Sequence, residues 1–233
     1  MDLRVVALVH RLPKNNVDEV TAMLARIQAY EACLSEDPAA VFPPCCPACQ
    51  EPGCLRKHEF RRRGFWFRMG NEVKRVASFV LRVTCTRCGK PSTVLPGFAR
   101  PHGRYVLGDV VDASDRYLLD GTATYESAAR HGGRPVFHDA DGACLARSTV
   151  HRWVGFLGSL VALLGHATGV LRDADPAFSP AAEMIPISPR RYRTEARREL
   201  LGRAQQLLRV RSRLWRAMGC EPFPRIATAA AWS

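Results

Sequence analysis

Lysine is scarce in this chain: of its 34 basic residues only Lys14, Lys57, Lys74 and Lys90 are lysines, so a formal net charge of +12 rests almost wholly on arginine. An apolar leader is lacking too, because the N-terminal apolar run is only Val5 to Val9, shorter than a signal-peptide core. That sets aside the secreted disulfide scaffold which nine cysteines would otherwise suggest, and implies reduced thiols in the cytoplasm. A clean membrane span is missing as well. Trp153 to Leu171 has His166 as its only ionisable group, but Gly155, Gly158, Gly165, Gly169, Ser159 and Thr168 weaken its transfer into lipid. The stretch reads as a buried helix. With 233 residues in total, the expectation is small modules in series.

The charge is unevenly placed. Residues 45–104 hold 13 basic and 3 acidic side chains, and residues 177–233 hold 11 and 4, whereas residues 1–44 (4 and 6) and 105–176 (6 and 9) are net acidic. An excess of this kind suits a polyanion, above all nucleic acid, although an arginine- and alanine-rich composition also follows from a GC-rich genome.

Two cysteine pairs, Cys46-Pro-Ala-Cys49 and Cys85-Thr-Arg-Cys88, stand 35 residues apart. Two C-x-x-C turns offer four soft sulfur ligands, the set that a tetrahedral structural zinc site requires. Between them Phe60 to Met69 and Lys74 to Thr84 read as two strands joined through Gly70-Asn71, a hairpin that would bring the pairs together as a zinc ribbon. In the return strand Ala77, Phe79, Leu81 and Val83 are expected on one face, with Ser78, Arg82 and Thr84 on the other. Other readings stay open: a local site of Cys46, Cys49, Cys54 and His58, with Cys45 as a substitute for Cys46, or a redox dithiol, which the lack of a surrounding βαβ pattern disfavours.

Arg61, Arg62, Arg63 and Arg68 interleave with Phe60, Phe65, Trp66 and Phe67 along the first strand. Guanidinium forks match phosphate oxygens and aromatic faces stack on bases, so Arg61, Arg62, Arg63, Trp66 and Arg68 are candidate nucleic-acid contacts. The competing reading is a solvated strand whose rings pack on the ribbon.

Ahead of the ribbon, Leu3 to Val9 is a plausible strand and Asn16 with Glu19 a plausible capping box for an amphipathic helix, ended by Pro38, Pro43 and Pro44. After it, Tyr105 to Leu119 has helical spacing. Tyr125 to His131 reads as a short second helix, followed by Gly132 as a turn residue. A third helix from Ala146 has Ser148 as its cap, with Val150, Trp153 and Val154 inward. Arg147, Ser148, Thr149, His151 and Arg152 would face DNA as in a helix-turn-helix. The 12 residues from Gly133 to Cys144 exceed the usual tight turn. Pro176, Pro180, Pro186 and Pro189 suggest a linker over 173–193. Thr194 to Met218 then reads as a long basic helix with leucines at heptad spacing, suited to a second copy of the chain or to folding back on its own. The tail from Gly219 looks irregular.

Taken together, Cys46-Pro-Ala-Cys49, Val83-Thr-Cys85-Thr-Arg-Cys88-Gly89, Leu95-Pro96-Gly97-Phe98 and Ala146-Arg-Ser-Thr-Val-His-Arg-Trp153 resemble zinc-ribbon plus helix-turn-helix proteins of bacterial mobile elements, a transposase-related family. The resemblance implies DNA binding linked to transposition, Cys46, Cys49, Cys85 and Cys88 as Zn(2+) ligands, and the helix from 146 as DNA reader. It also implies a transposase or another mobile-element protein as partner, in a bacterial, nucleoid-associated setting. Catalysis is not expected. Beyond Leu171 the carboxylates lie in proline-broken or basic sequence, and Asp109, Asp112 and Asp115 fit the wet face of one helix better than a metal cage.

The sequence therefore predicts an α+β chain with five parts. They are an N-terminal strand-helix segment (1–44), a zinc ribbon (45–104), a helix-turn-helix region (105–172), a Pro-rich linker (173–193), and a basic amphipathic helix with its tail (194–233). The expected role is a DNA-binding accessory or regulatory protein. The alternatives are a module docking onto a larger nucleoprotein machine and a minimal metal-dependent nuclease.

Overall fold

The computed structural model describes residues 16–100, 103–219, 222–223 and 226–227. The strand expected at Leu3 to Val9 lies outside the described residues, and so do the side chains of the Asn16 and Glu19 pair. The architecture is α+β, with one antiparallel sheet and, among the described residues, six α-helices. The chain divides into two compact units, one running to Val106 and taking in Ile226–Ala227, the other from Leu107 to Phe223. The N-terminal helix thus belongs with the ribbon, and the C-terminal helix with the central helices.

In the first unit, helix α1 (Asn16–Glu36) precedes a 3-10 turn at Pro38–Val41, which starts where the Asp37 carboxylate accepts the Ala39 N–H at 3.0 Å. Strands β1 (Leu55–Met69) and β2 (Glu72–Cys85) form a long hairpin through Gly70-Asn71, and Gly70 supplies the positive φ of +55° that such a tight turn needs. Strand β3 (Pro91–Val94) pairs with the end of β2, and Ile226–Ala227 pairs with β3. The tail is therefore not irregular throughout.

Residues directly opposed across an antiparallel pair share a face. Arg61 and Val80, Arg63 and Ser78, and Phe65 and Val76 form one face of the hairpin. Phe65, Phe67 and Val80 pack there with Ile27 of α1, Leu95, Phe98 and Val106, while the Ser78 hydroxyl donates to Glu31 Oε1 at 2.6 Å. At the cysteine end a second cluster joins Leu34, Leu55, Leu81, Val83 and Val94 to Cys46, Cys54 and Cys85. This corrects the expected alternation. Leu81 and Val83 are buried as expected, but Ala77 and Phe79 are exposed and Ser78 and Val80 are not. The buried parity changes between Val80 and Leu81, beside a β-bulge where the pairing slips from Lys57–Val83 to Glu59–Arg82. A bulge bends and further twists its strand, so different faces of one hairpin are covered at its two ends.

In the second unit, α2 (Leu107–Leu119) leads to α3 (Tyr125–Ala129), which is shorter than expected and is opened by a capping box between Thr124 and Ser127. Helix α4 (Arg147–Ser159) begins at Ala146 with no side-chain cap, so Ser148 lies inside the helix and does not cap it. The expected single helix across Trp153 to Leu171 is broken at Leu160, where α4 gives way to α5 (Val161–Ala174) at a bend of 59°. Among the described residues no single helix is long and apolar enough to cross a membrane, although this bent pair reaches the length and composition together.

Helix α6 (Glu195–Met218) is capped by Thr194, ends on left-handed Gly219, and packs on α4 and α5. Its Leu201, Leu207, Leu208 and Leu214 are buried in doing so, which leaves Trp215 and Met218 as the exposed apolar side chains near its end. Much of the leucine face of this helix is thus buried within the unit. The proline-rich 173–193 stretch is held as well: fully buried Gln205 accepts the Ile185 N–H at 3.1 Å and donates to the Leu118 carbonyl at 3.2 Å. Arg191 donates to the carbonyls of Tyr117 in the last turn of α2 and of Asp120 and Ala123 just beyond it, satisfying acceptors that a helix end leaves open.

Helices α4 and α6 approach most closely at Gly158, where an added Cβ would stand 2.2 Å from the Leu200 carbonyl oxygen. Because backbone cannot yield as a side-chain tip can, Gly158→Ala should lower stability by about 1–3 kcal/mol in urea denaturation. Gly155→Ala, whose nearest neighbour would be an Arg197 side-chain nitrogen at 3.8 Å, should be neutral or mildly stabilising. Equal midpoints for Gly158→Ala and the parent would refute the contact.

Candidate metal centre and basic hairpin

The two C-x-x-C turns have the same hydrogen-bond register. In the first, Cys46 N–H donates to Glu51 O (2.8 Å) and Gln50 N–H to Cys46 O (2.8 Å); in the second, Cys85 N–H donates to Lys90 O (3.2 Å) and Gly89 N–H to Cys85 O (2.9 Å). The residue after each second cysteine is left-handed, Gln50 at φ +60° and Gly89 at φ +70°. Glycine at the second turn signals that geometry, whereas glutamine at the first conceals it.

Folding the hairpin brings the turns together, and the sulfurs of Cys46, Cys49, Cys85 and Cys88 all lie within 4.8 Å of one another. Cys46 Sγ is 3.8 Å from Cys88 Sγ, and Cys49 Sγ is 3.7 Å from Cys85 Sγ. Bonded sulfurs would be about 2.05 Å apart, so these are not disulfides. Four sulfurs at tetrahedral corners about 2.3 Å from one ion would be about 3.8 Å apart. Backbone N–H groups also point at sulfur: Ala48 donates to Cys46 Sγ (3.4 Å), and Arg87 (3.3 Å) and Cys88 (3.4 Å) donate to Cys85 Sγ. These four cysteines could hold a metal ion.

The electrostatics agree. The Cys88 N–H, aided by the hydrogen bond shared with the Cys54 sulfur and by the Arg87 N–H, draws the Cys85 thiol down to about 6 despite burial. Burial opposes ionisation of Cys46, but the backbone N–H groups of Cys49 and Ala48 outweigh it and hold that thiol below its ordinary range. At Cys49 the backbone amide of Glu51 favours the thiolate, yet burial and the neighbouring thiols push it up to about 12. Within so small a volume some thiols ionise easily only because others do not, and a cation removes that conflict.

Other candidate ligands fall outside the group. Cys45 Sγ donates to Gln50 Oε1 at 3.4 Å, and His58 is exposed on β1. Cys54 lies beside the cluster without belonging to it: its sulfur is 3.2 Å from Cys85 Sγ and donates to Glu51 O at 3.0 Å, while burial and the adjoining Cys85 push its thiol up to about 11. The local alternative built on Cys54 and His58 is thereby displaced. No residue near Cys54 announces that it sits against a residue 31 positions away.

The candidate nucleic-acid contacts separate into engaged and exposed groups. Arg63 is partly buried and donates to the carbonyls of Arg100 and Gly103, each at 2.6 Å, which anchors the loop after β3. Trp66 is half-buried, edge-on to Tyr105 at 5.3 Å and under the Arg104 guanidinium, and its backbone pairs with residues 104–106. Arg68 is partly buried and makes a contact of its own within the chain. Arg61 and Arg62 are exposed on opposite faces. Arg75, absent from the expected set, is exposed on the same face as Arg62, opposite Trp66, and lies across Gly64, where an added Cβ would stand 2.9 Å from its Nε.

Helix α4 carries its expected inward residues, with Val150, Trp153 and Val154 buried and Arg147, Ser148, His151 and Arg152 exposed. Thr149 is half-buried. His151 is not simply a surface side chain, because its ring meets Tyr125 edge-on at 5.2 Å, and desolvation followed by Arg197 holds it below its ordinary range. Arg152 bonds back to the Ser148 carbonyl at 3.2 Å. Between α3 and α4 the chain makes a hairpin in which Leu145 N–H reaches Val136 O (2.8 Å) and His138 N–H reaches Ala143 O (2.9 Å), with Gly142 at its turn. The short turn of a helix-turn-helix is replaced by this hairpin.

Comparison with known proteins is silent. No family model, curated protein or solved structure matches the chain. Among the described residues, the four cysteines are the one group of metal-ligating side chains drawn together.

Native mass spectrometry of the intact chain should find one metal ion per molecule, absent in Cys85→Ser and retained in Cys45→Ser. A metal-free parent with unchanged stability would exclude a structural centre, since metal binding in such sites contributes on the order of 10 kcal/mol to folding.

Proposed function

We propose that the first unit is a zinc ribbon that binds nucleic acid through its long hairpin, and that the chain acts as a DNA-binding accessory or regulatory protein of a bacterial mobile element. Zinc is the ion that four cysteine sulfurs in tetrahedral spacing favour, and with no position left open it would serve shape and not chemistry. The observation that carries the reading is the sorting of arginines. Those with internal work, such as Arg63, are tied to carbonyls, while Arg61, Arg62 and Arg75 stand exposed on the hairpin of a segment with 13 basic and 3 acidic side chains. Exposed cations on a rigid frame are what phosphate binding needs. The link to a mobile element rests on the resemblance of the cysteine turns and the Ala146 to Trp153 run.

A second surface, the exposed side of α4, is favoured by the outward placement of Arg147, Ser148 and Arg152. It is the weaker candidate. The α3–α4 hairpin departs from helix-turn-helix geometry, and the surrounding 105–176 stretch has 6 basic and 9 acidic side chains.

Mobility-shift assays over a salt series test the proposal. The affinity of the full chain should fall steeply with salt, and the Arg62→Ala, Arg75→Ala double variant should reduce the log–log slope by about 1–2. Changing Arg147 and Arg152 to Ala should have the smaller effect. No binding at low salt by a metal-loaded protein would defeat the proposal.

A further inference from the structure

Among the described residues, one face of the hairpin has no cover along part of its length. Phe60, Arg62, Gly64 and Trp66 of β1 lie opposite Leu81, Phe79, Ala77 and Arg75 of β2, so all eight share that face. The other face is closed by α1 and Phe98. On the uncovered face Phe60 is 40 % exposed and Phe79 is 47 % exposed. They are diagonal neighbours, because Phe60 opposes Leu81 and Phe79 opposes Arg62, which places them about 7–8 Å apart. Between Phe79 and the Trp66–Arg75 pair, Gly64 and Ala77 make a low floor over which the Arg75 guanidinium lies. The Lys57 ammonium sits 4.1 Å from the Phe60 ring centroid.

Two exposed phenyl rings on a sheet call for an occupant, and the charges around them select it. A second copy of the chain would bring Arg62 and Arg75 against their own counterparts. An acidic protein would satisfy the arginines but has no reason to match two adjacent half-exposed rings, one of them already carrying the Lys57 ammonium. The phosphates of a duplex would meet the arginines yet leave the rings idle, since base faces in a duplex are already stacked. Unpaired nucleotides satisfy both: phosphates for Arg62 and Arg75, and base faces for Phe60 and Phe79.

Resting on the nucleic-acid reading above, we infer that this hairpin face binds single-stranded nucleic acid, stacking unpaired bases on Phe60 and Phe79 while Arg62 and Arg75 hold the flanking phosphates. Phenyl rings read no base edge, so recognition is tolerant of sequence and directed at strand state. The ligand class is thereby narrowed from nucleic acid in general to regions where the duplex is open.

Fluorescence anisotropy with the zinc-loaded full chain tests this, using a short labelled oligonucleotide, its duplex form and anionic phospholipid vesicles as a third ligand. Single-strand binding should be the tighter. Phe60→Ala and Phe79→Ala should each weaken it about tenfold or more, with duplex affinity and thermal midpoint unchanged, and Phe79→Trp should restore it. Because both rings are about half exposed, the alanine variants should fold, which the midpoint checks. Equal affinity for both strand states, or alanine variants that bind as the parent does, overturns base stacking and leaves the broader reading standing. Failure to bind any oligonucleotide defeats both, as does binding to vesicles alone.

Discussion

Thiolates repel one another, and the first unit is arranged around four thiols that sit within 4.8 Å. Without a cation only some of them can ionise, and the backbone N–H groups aimed at Cys46 and Cys85 show which are favoured. A cation would let all four serve as ligands, and it would tie two loops separated by 35 residues at the base of the hairpin. The rest of the unit follows from that closure. Leu55, Leu81 and Val83 gain a cluster to pack in, and β3 gains a strand to pair with. A two-stranded ribbon alone would be marginal in water, and the sheet needs this anchor together with α1 to stand.

Arginine has two unlike roles in the same chain. Its planar fork can serve several carbonyls at once, and Arg191 at the end of α2 and Arg63 above the 100–103 loop both do so. Lysine could not take either place, having a point charge where a fork is needed. The composition therefore overstates the charge available to a ligand. What reaches solvent is smaller, and on the hairpin it comes to Arg56, Lys57, Arg61, Arg62 and Arg75.

Much of this was legible in the sequence. The cysteine pairs were readable because metal chemistry fixes both residue type and spacing, and the hairpin between them because Gly70-Asn71 marks its turn. The inward set of α4 followed from helical periodicity. The alternation in β2 was misjudged because a bulge near His58 changes which face is covered, and no residue type announces a bulge of that kind. Prolines over 173–193 suggest a linker because they break regular structure, but a polar side chain from a distant helix, Gln205, supplies the missing partner. Long-range contacts such as these, and that of Cys54 with Cys85, carry no local signature.

The change of buried parity between Val80 and Leu81 has a consequence for how such a surface can be altered. On the cysteine side of that point Leu55, Leu81 and Val83 are buried against the cysteine loops, so substitutions of these residues would disturb the cluster. Beyond it, Phe60, Arg62, Ala77 and Phe79 stand apart from both clusters. Side chains there can be exchanged with little cost to folding, so the hairpin is a scaffold whose exposed chemistry can drift or be redesigned while the cysteine cluster and the core stay as they are.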